Sequence, residues 1–131
     1  MTPSFGKITV AVRSDRILEC VSHGFVRLEH VLAAQAEIES IGRRFHGTFD
    51  ALFDGSESIG FEPALPIRWV RWGARFVDRV GKFAIVARPG PLMGIATTLP
   101  YLLPTWRIGL FSDRGAAVAF LQAANDAAAR R

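Results

Sequence analysis

The sequence predicts an α/β domain with a five-stranded, mixed, mainly parallel sheet and the element order β-β-α-β-α-β-α-β-α. Three observations carry this. Two short runs rich in β-branched residues, Lys7–Val12 and Arg16–Ser22, flank the polar Arg13-Ser14-Asp15 and read as a hairpin. After them, apolar runs of strand length alternate with stretches of helical period. The chain then closes on Arg107–Phe111, which flows into the alanine-rich Arg114–Leu121, a strand feeding a helix. Strict alternation after a hairpin favours parallel strands joined by right-handed crossovers, with the first strand antiparallel at or near an edge.

Each element has a local reason. Gly24 breaks the second strand, and a helix follows from about Val26 to Ile41, with Leu28, Val31, Leu32, Gln35, Ile38 and Ile41 near one face. Gly42 is placed to terminate it. Phe49–Phe53 reads as a short buried strand, followed by a loop over Asp54–Pro66. A helix is expected from about Ile67 to Val80, ending at Gly81, and Lys82–Ala87 is the next strand. Pro91–Leu103 reads as an uncharged helix and Arg107–Phe111 as the last strand. Ser112 or Asp113 can cap the final helix, because a short oxygen-bearing side chain accepts from its first free N–H groups. Ala117, Phe120, Leu121 and Ala124 form the apolar stripe of that helix.

The bulk numbers bound the answer. A chain of 131 residues, half hydrophobic and 21% charged, is read as one domain over 1–131 with an ordered core. A domain of this size buries roughly two-thirds of its unfolded surface, so it needs no disulfide or metal staple. The single cysteine, Cys20, cannot form an internal disulfide and suits a reducing compartment. Met1–Lys7 lacks a basic start followed by an apolar run, so the expected location is cytoplasmic. Pro89–Trp106 is 18 residues without a charge, but its four prolines would break a single spanning helix repeatedly. A net charge of +4 does not by itself argue for nucleic acid, and none is expected as a partner.

The element order, together with Lys82-Phe83-Ala84-Ile85-Val86-Ala87, Arg107-Ile108-Gly109-Leu110-Phe111 and Ala116-Ala117-Val118-Ala119-Phe120-Leu121, resembles the STAS domains, named for sulfate transporters and anti-sigma-factor antagonists. It is most similar to their small stand-alone SpoIIAA-like bacterial branch. The resemblance implies a non-enzymatic regulatory or protein-interaction module. It also implies a serine or threonine switch just after the third strand, in an Asp-Ser-Ser-Gly-like run. The matching place reads Asp54-Gly55-Ser56-Glu57-Ser58-Ile59-Gly60, so Asp54, Ser56 and Ser58 are the candidate phospho-switch residues. Here Glu57 separates the serines, and Pro63 and Pro66 interrupt the helix start that would follow. SpoIIAA-like folds also look related to lipid carriers, which implies a small apolar ligand as a second candidate.

Two further constellations carry chemistry. On a helix, Trp69, Trp72, Phe76 and Val80 share one face, with Arg68, Arg71, Arg75 and Arg79 beside it. Indoles beside guanidinium groups suit an anionic partner or a membrane interface. The same pattern equally describes an aromatic stripe packed on the sheet with a solvated basic flank. In the uncharged segment, Leu92, Met93, Ile95, Leu99, Tyr101, Leu102, Leu103 and Trp106 supply more apolar surface than one helical stripe needs, with Trp69 and Trp72 as further candidates beside them. That surplus could be buried in the monomer, line a hydrophobic pocket or form a homodimer contact.

Other chemistry has little support. His23, His30 and His46 are scattered, and metal binding needs three or four converging ligands, so no metal and no cofactor is expected. Gly90, Pro91 and Gly94 lack phosphate-loop spacing. No nucleophile elbow is present, and Cys20 reads as a small buried residue.

Overall fold

The structure is a computed structural model and describes residues 6–14, 16–45, 47–76, 79–102 and 107–129. Its strands are β1 (Lys7–Ser14), β2 (Ile17–Val26), β3 (Phe49–Phe61), β4 (Val80–Val86) and β5 (Arg107–Phe111). Its helices are α1 (Leu28–Gly42), α2 (Leu65–Gly73), α3 (Pro91–Ala96), α4 (Leu99–Leu102) and α5 (Arg114–Ala129), with a 3₁₀ turn over Ala74–Phe76. The strands lie in the order β1-β2-β3-β4-β5. β1 pairs antiparallel with β2 at the edge, and every other pairing is parallel, as the sequence predicts.

Alternation divides the side chains between two faces. On one, Leu18, Cys20, Phe49, Ala51 and Val80 form a core with Ile38 of α1, against which Trp69 and Trp72 of α2 pack. On the other, Ile17, Leu52, Ala84 and Val86 pack against Ala117 and Leu121 of α5. Pairing aligns Leu18, Ala51, Phe83 and Ile108 in one row across the first face. The next residues along, Glu19, Leu52, Ala84 and Gly109, make the corresponding row on the second face. The small Ala84 and Gly109 in that row allow α5 close to the sheet.

Several boundaries differ from the sequence reading. Gly24 does not end the second strand. It adopts φ 67 inside β2, between two register shifts against β3, so it is a bulge that lets the strand run on to Val26. Asp54–Phe61 is strand rather than loop. β4 pairs β3 only from Phe49 to Asp54, but β2 continues beside β3 as far as Phe61. A two-stranded ribbon therefore overhangs the end of β4.

The helix expected over Ile67–Val80 starts earlier, at Leu65, and stops at Gly73. Val80 instead opens β4, opposite Phe49. The uncharged helix splits into α3 and α4 at Thr97-Thr98, whose hydroxyls donate to the carbonyls of Gly94 and Ile95 at 2.6 Å. Pro100 has no N–H with which to continue the ladder.

The helix ends are secured from outside. The Leu28 N–H donates to Glu62 Oε1 at 2.9 Å, and the Arg27 N–H donates to His30 Nδ1 at 2.9 Å. Of the two candidate caps for α5, Asp113 holds the position, accepting from the Ala116 N–H at 2.9 Å. Arg16 closes the hairpin at φ 71, a left-handed conformation costly for a residue with a Cβ. Its guanidinium donates to the Thr48 carbonyl at 2.8 Å, which ties the turn to the start of β3.

Candidate functional site

The helical face of the sheet is not filled. A cavity of about 160 Å³ lies between it and α2–α4. Its floor is Leu18, Cys20, Ala51, Phe53, Phe83 and Ile85, and its walls include Phe61, Leu65, Trp69, Trp72, Ile95 and Leu99. It exists because small residues, Cys20, Ser22, Ala51, Gly73 and Ala96, occupy positions that point inward.

Aromatic geometry stiffens one side. Phe53 and Trp69 meet edge-on at 6.0 Å between ring centroids, and Trp69 and Trp72 do so at 5.5 Å. The Trp72 indole N–H donates to Glu39 Oε1 of α1 at 2.9 Å, so its polar edge is satisfied away from the cavity. The lining carries no charged side chain among the described residues. Its hydroxyl groups belong to Ser22 and Ser58, which hydrogen-bond each other across β2 and β3. Ser22 is 1% exposed.

The opposite face carries a polar cluster. Asp54, 5% exposed, accepts from Arg114 at 2.9 Å through Oδ2. Its Oδ1 accepts from the Ser56 N–H at 2.9 Å and the Ser56 hydroxyl at 2.6 Å. Arg114 also pairs with Glu19, which Arg13 approaches at 3.8 Å. Arg114 sits at the first position of α5, where the helix dipole disfavours a cation. Burial, and then the nearby Arg13, lowers its pKa from the usual arginine range, and the two carboxylates in contact with it oppose this. Lys82 is lowered in the same direction, by burial and then by Arg107, with Asp50 opposing; its Nζ lies 5.5 Å from the centre of the Phe120 ring.

Cys20 is buried, and its pKa is pushed up to about 12, by burial first and then by Glu37. It is a protonated wall residue rather than a nucleophile.

The candidate residues separate accordingly. Asp54 and Ser56 belong to the α5 face, whereas Ser58 faces the cavity, so the three do not form one exposed loop. Arg68, Arg71 and Arg75 are exposed. Arg79 is turned away from them and donates to the carbonyls of Gly42, Phe45 and Gly47 at 2.8–3.0 Å, clamping the chain before β3. Trp69, Trp72 and Leu99 line the cavity. Tyr101 is 87% exposed and Met93 lies outside the lining. The side chain of Leu92 and the whole of Trp106, like His46, lie outside the described residues.

Sequence reasoning missed Ser22, Phe61 and Ala96 in the cavity and Arg114 in the polar cluster, whereas Ile95, one of the surplus apolar residues, does line the cavity. Ser22 carried a signal, since it occupies a core-facing position in a strand. Arg114 carried another, as a cation placed just after a helix cap.

Among the described residues, no helix is long and apolar enough to cross a membrane. No protein-family profile and no curated protein matches the chain. Solved structures do. An uncharacterised protein of the DUF3478 family from Shewanella loihica PV-4, with a SpoIIAA-like fold, superposes with a TM-score of 0.75 at 16% identity, covering 92% of this chain and 98% of that one. An anti-sigma factor antagonist from Mycobacterium paratuberculosis superposes with a TM-score of 0.62 at 18% identity, covering 92% and 97%. The chain therefore has the SpoIIAA-like, STAS-type fold.

Proposed function

We propose that the chain is a non-catalytic binding module that encloses a small apolar or amphipathic ligand between the sheet and α2–α4. The observation that carries this reading is the 160 Å³ cavity, lined by aromatic and aliphatic side chains with one serine pair at its polar edge. A void of about 150 Å³ lined by apolar groups stays dry and takes up benzene, so an unoccupied cavity here would be a binding site for a ring or a short chain. The decisive experiment joins native mass spectrometry of freshly purified protein with thermal unfolding in the presence of 1-octanol or indole. At a hundredfold excess over Kd, binding adds about 2.7 kcal/mol, roughly 8 °C in Tm for a chain of this size. An apo mass together with no shift from either compound refutes the reading.

A second reading, a regulatory protein-interaction module, draws on the similarity in fold to an anti-sigma factor antagonist. Exposed Ile59, Ile67 and Tyr101 offer apolar contact surface for a protein partner. Under this reading Ser56 or Ser58 is the phosphorylated position. A kinase-treated sample with unchanged mass argues against the switch. Either role suits a cytoplasmic protein.

A further inference from the structure

Beside the cavity lies a second, more open space. The overhanging end of β3 and the connection after β4 enclose a groove of about 400 Å³, lined by Gly55, Ile59, Gly60 and Arg88-Pro89-Gly90. Ser58 and Phe61 belong to the lining of both spaces, so the two adjoin at that pair. The groove sits at the carboxyl end of the parallel strands, where ligands of open α/β sheets commonly bind.

The two spaces differ in electrostatics. Burying an isolated charge in the cavity would be costly, because no counter-ion lines it. The groove has one charged lining residue among the described residues, Arg88, which is exposed and makes no ion pair among them. An anion held there keeps part of its hydration and gains a guanidinium fork.

We infer that the ligand is a small amphiphile with a single anionic head, its apolar tail in the cavity, its waist at Ser58 and Phe61, and its carboxylate-like head at Arg88. This rests on the cavity reading above and adds the class of head group and the direction of entry.

Three probes of equal chain length test it: octanoate, 1-octanol and octylamine. Each is titrated against the full chain while tryptophan emission is followed; two of the three tryptophans, Trp69 and Trp72, line the cavity. Octanoate should bind about three- to fivefold more tightly than octanol, the range of an exposed ion pair, and octylamine more weakly than octanol. The octanoate advantage should shrink at high salt. In Arg88→Gln the three should converge, with both the octanoate advantage and the octylamine penalty relative to octanol lost. Equal binding of octanoate and octanol by the native chain, or an unchanged ratio in Arg88→Gln, overturns the head-group assignment and leaves the cavity reading standing. No response to any of the three overturns both.

Discussion

Ala51→Val tests whether the space over the sheet is empty. Ala51 lies on the central strand, in a row between Leu18 and Phe83, and its side chain forms part of the cavity floor. Valine adds two carbons. Entering unfilled space, they contribute about 1.6 kcal/mol at about 0.8 kcal/mol per buried carbon, and the β-branched residue also suits a strand. In a close-packed core the same change costs about 1–3 kcal/mol through overpacking. The two outcomes therefore differ in sign, which makes the test insensitive to errors in either figure. Urea unfolding should show a higher midpoint at unchanged slope, and Tm should rise by roughly 5 °C. The variant should also bind octanol more weakly, since its methyl groups take part of the ligand's space. A lower midpoint, with octanol binding unchanged, would refute the reasoning.

Three further outcomes follow from the same geometry. Arg114→Ala leaves Asp54 and Glu19 facing each other without their shared cation, and should cost about 2 kcal/mol by urea unfolding; this is set below the usual loss for a buried pair because the Arg114 side chain is 39% exposed. Gln35 is buried on α1 and its Nε2 has no hydrogen-bond partner among the described residues, so Gln35→Leu should stabilise the chain by about 1 kcal/mol, and a loss of stability would reveal a partner. Cys20 is raised from 9.0 to about 12 in the folded chain, so between those pH values the unfolded thiol ionises while the folded one does not. Its contribution to stability is complete below pH 9 and falls as pH rises, a slope that Cys20→Ala should remove; iodoacetamide at pH 8 should label Cys20 only after unfolding.

The parts of the fold that were legible in the sequence are those written in local pattern. The hairpin and the closing strand and helix follow from period and composition; the period put Trp69 and Trp72 on one face, and the packing of α2 is what turns that face inward. The length of β3 was not legible. Gly55, Ser56, Ser58 and Gly60 are turn formers by local preference, and pairing with β2 overrides that preference. The stop at Gly73 was hidden for a related reason. Arg79 looked like the next basic residue on the helix, but it serves three carbonyls before β3 instead. The polar cluster was half legible. Asp54 stood out, whereas its partner Arg114 is 60 residues further along and is brought to it only by α5 crossing the other face.

The cavity is the least local feature, because it consists of missing volume. No single residue announces it; Cys20, Ala51 and Ala96 each read as ordinary core positions, and the void appears only when the sheet sets them opposite a helix that Pro100 prevents from continuing. Space of about 160 Å³, partly open to solvent, forgoes the dispersion contacts that larger side chains would make there. Wider side chains at three positions would recover many of them without altering the strand order or either face of the sheet. Sheet architecture therefore does not require the cavity. Under the proposed ligand-binding reading, a molecule that fills it would supply those contacts in the bound state and couple occupancy to the stability of α2–α4. Occupancy would then act on the helices that expose Ile67 and Tyr101, which is how the two proposed roles would be linked.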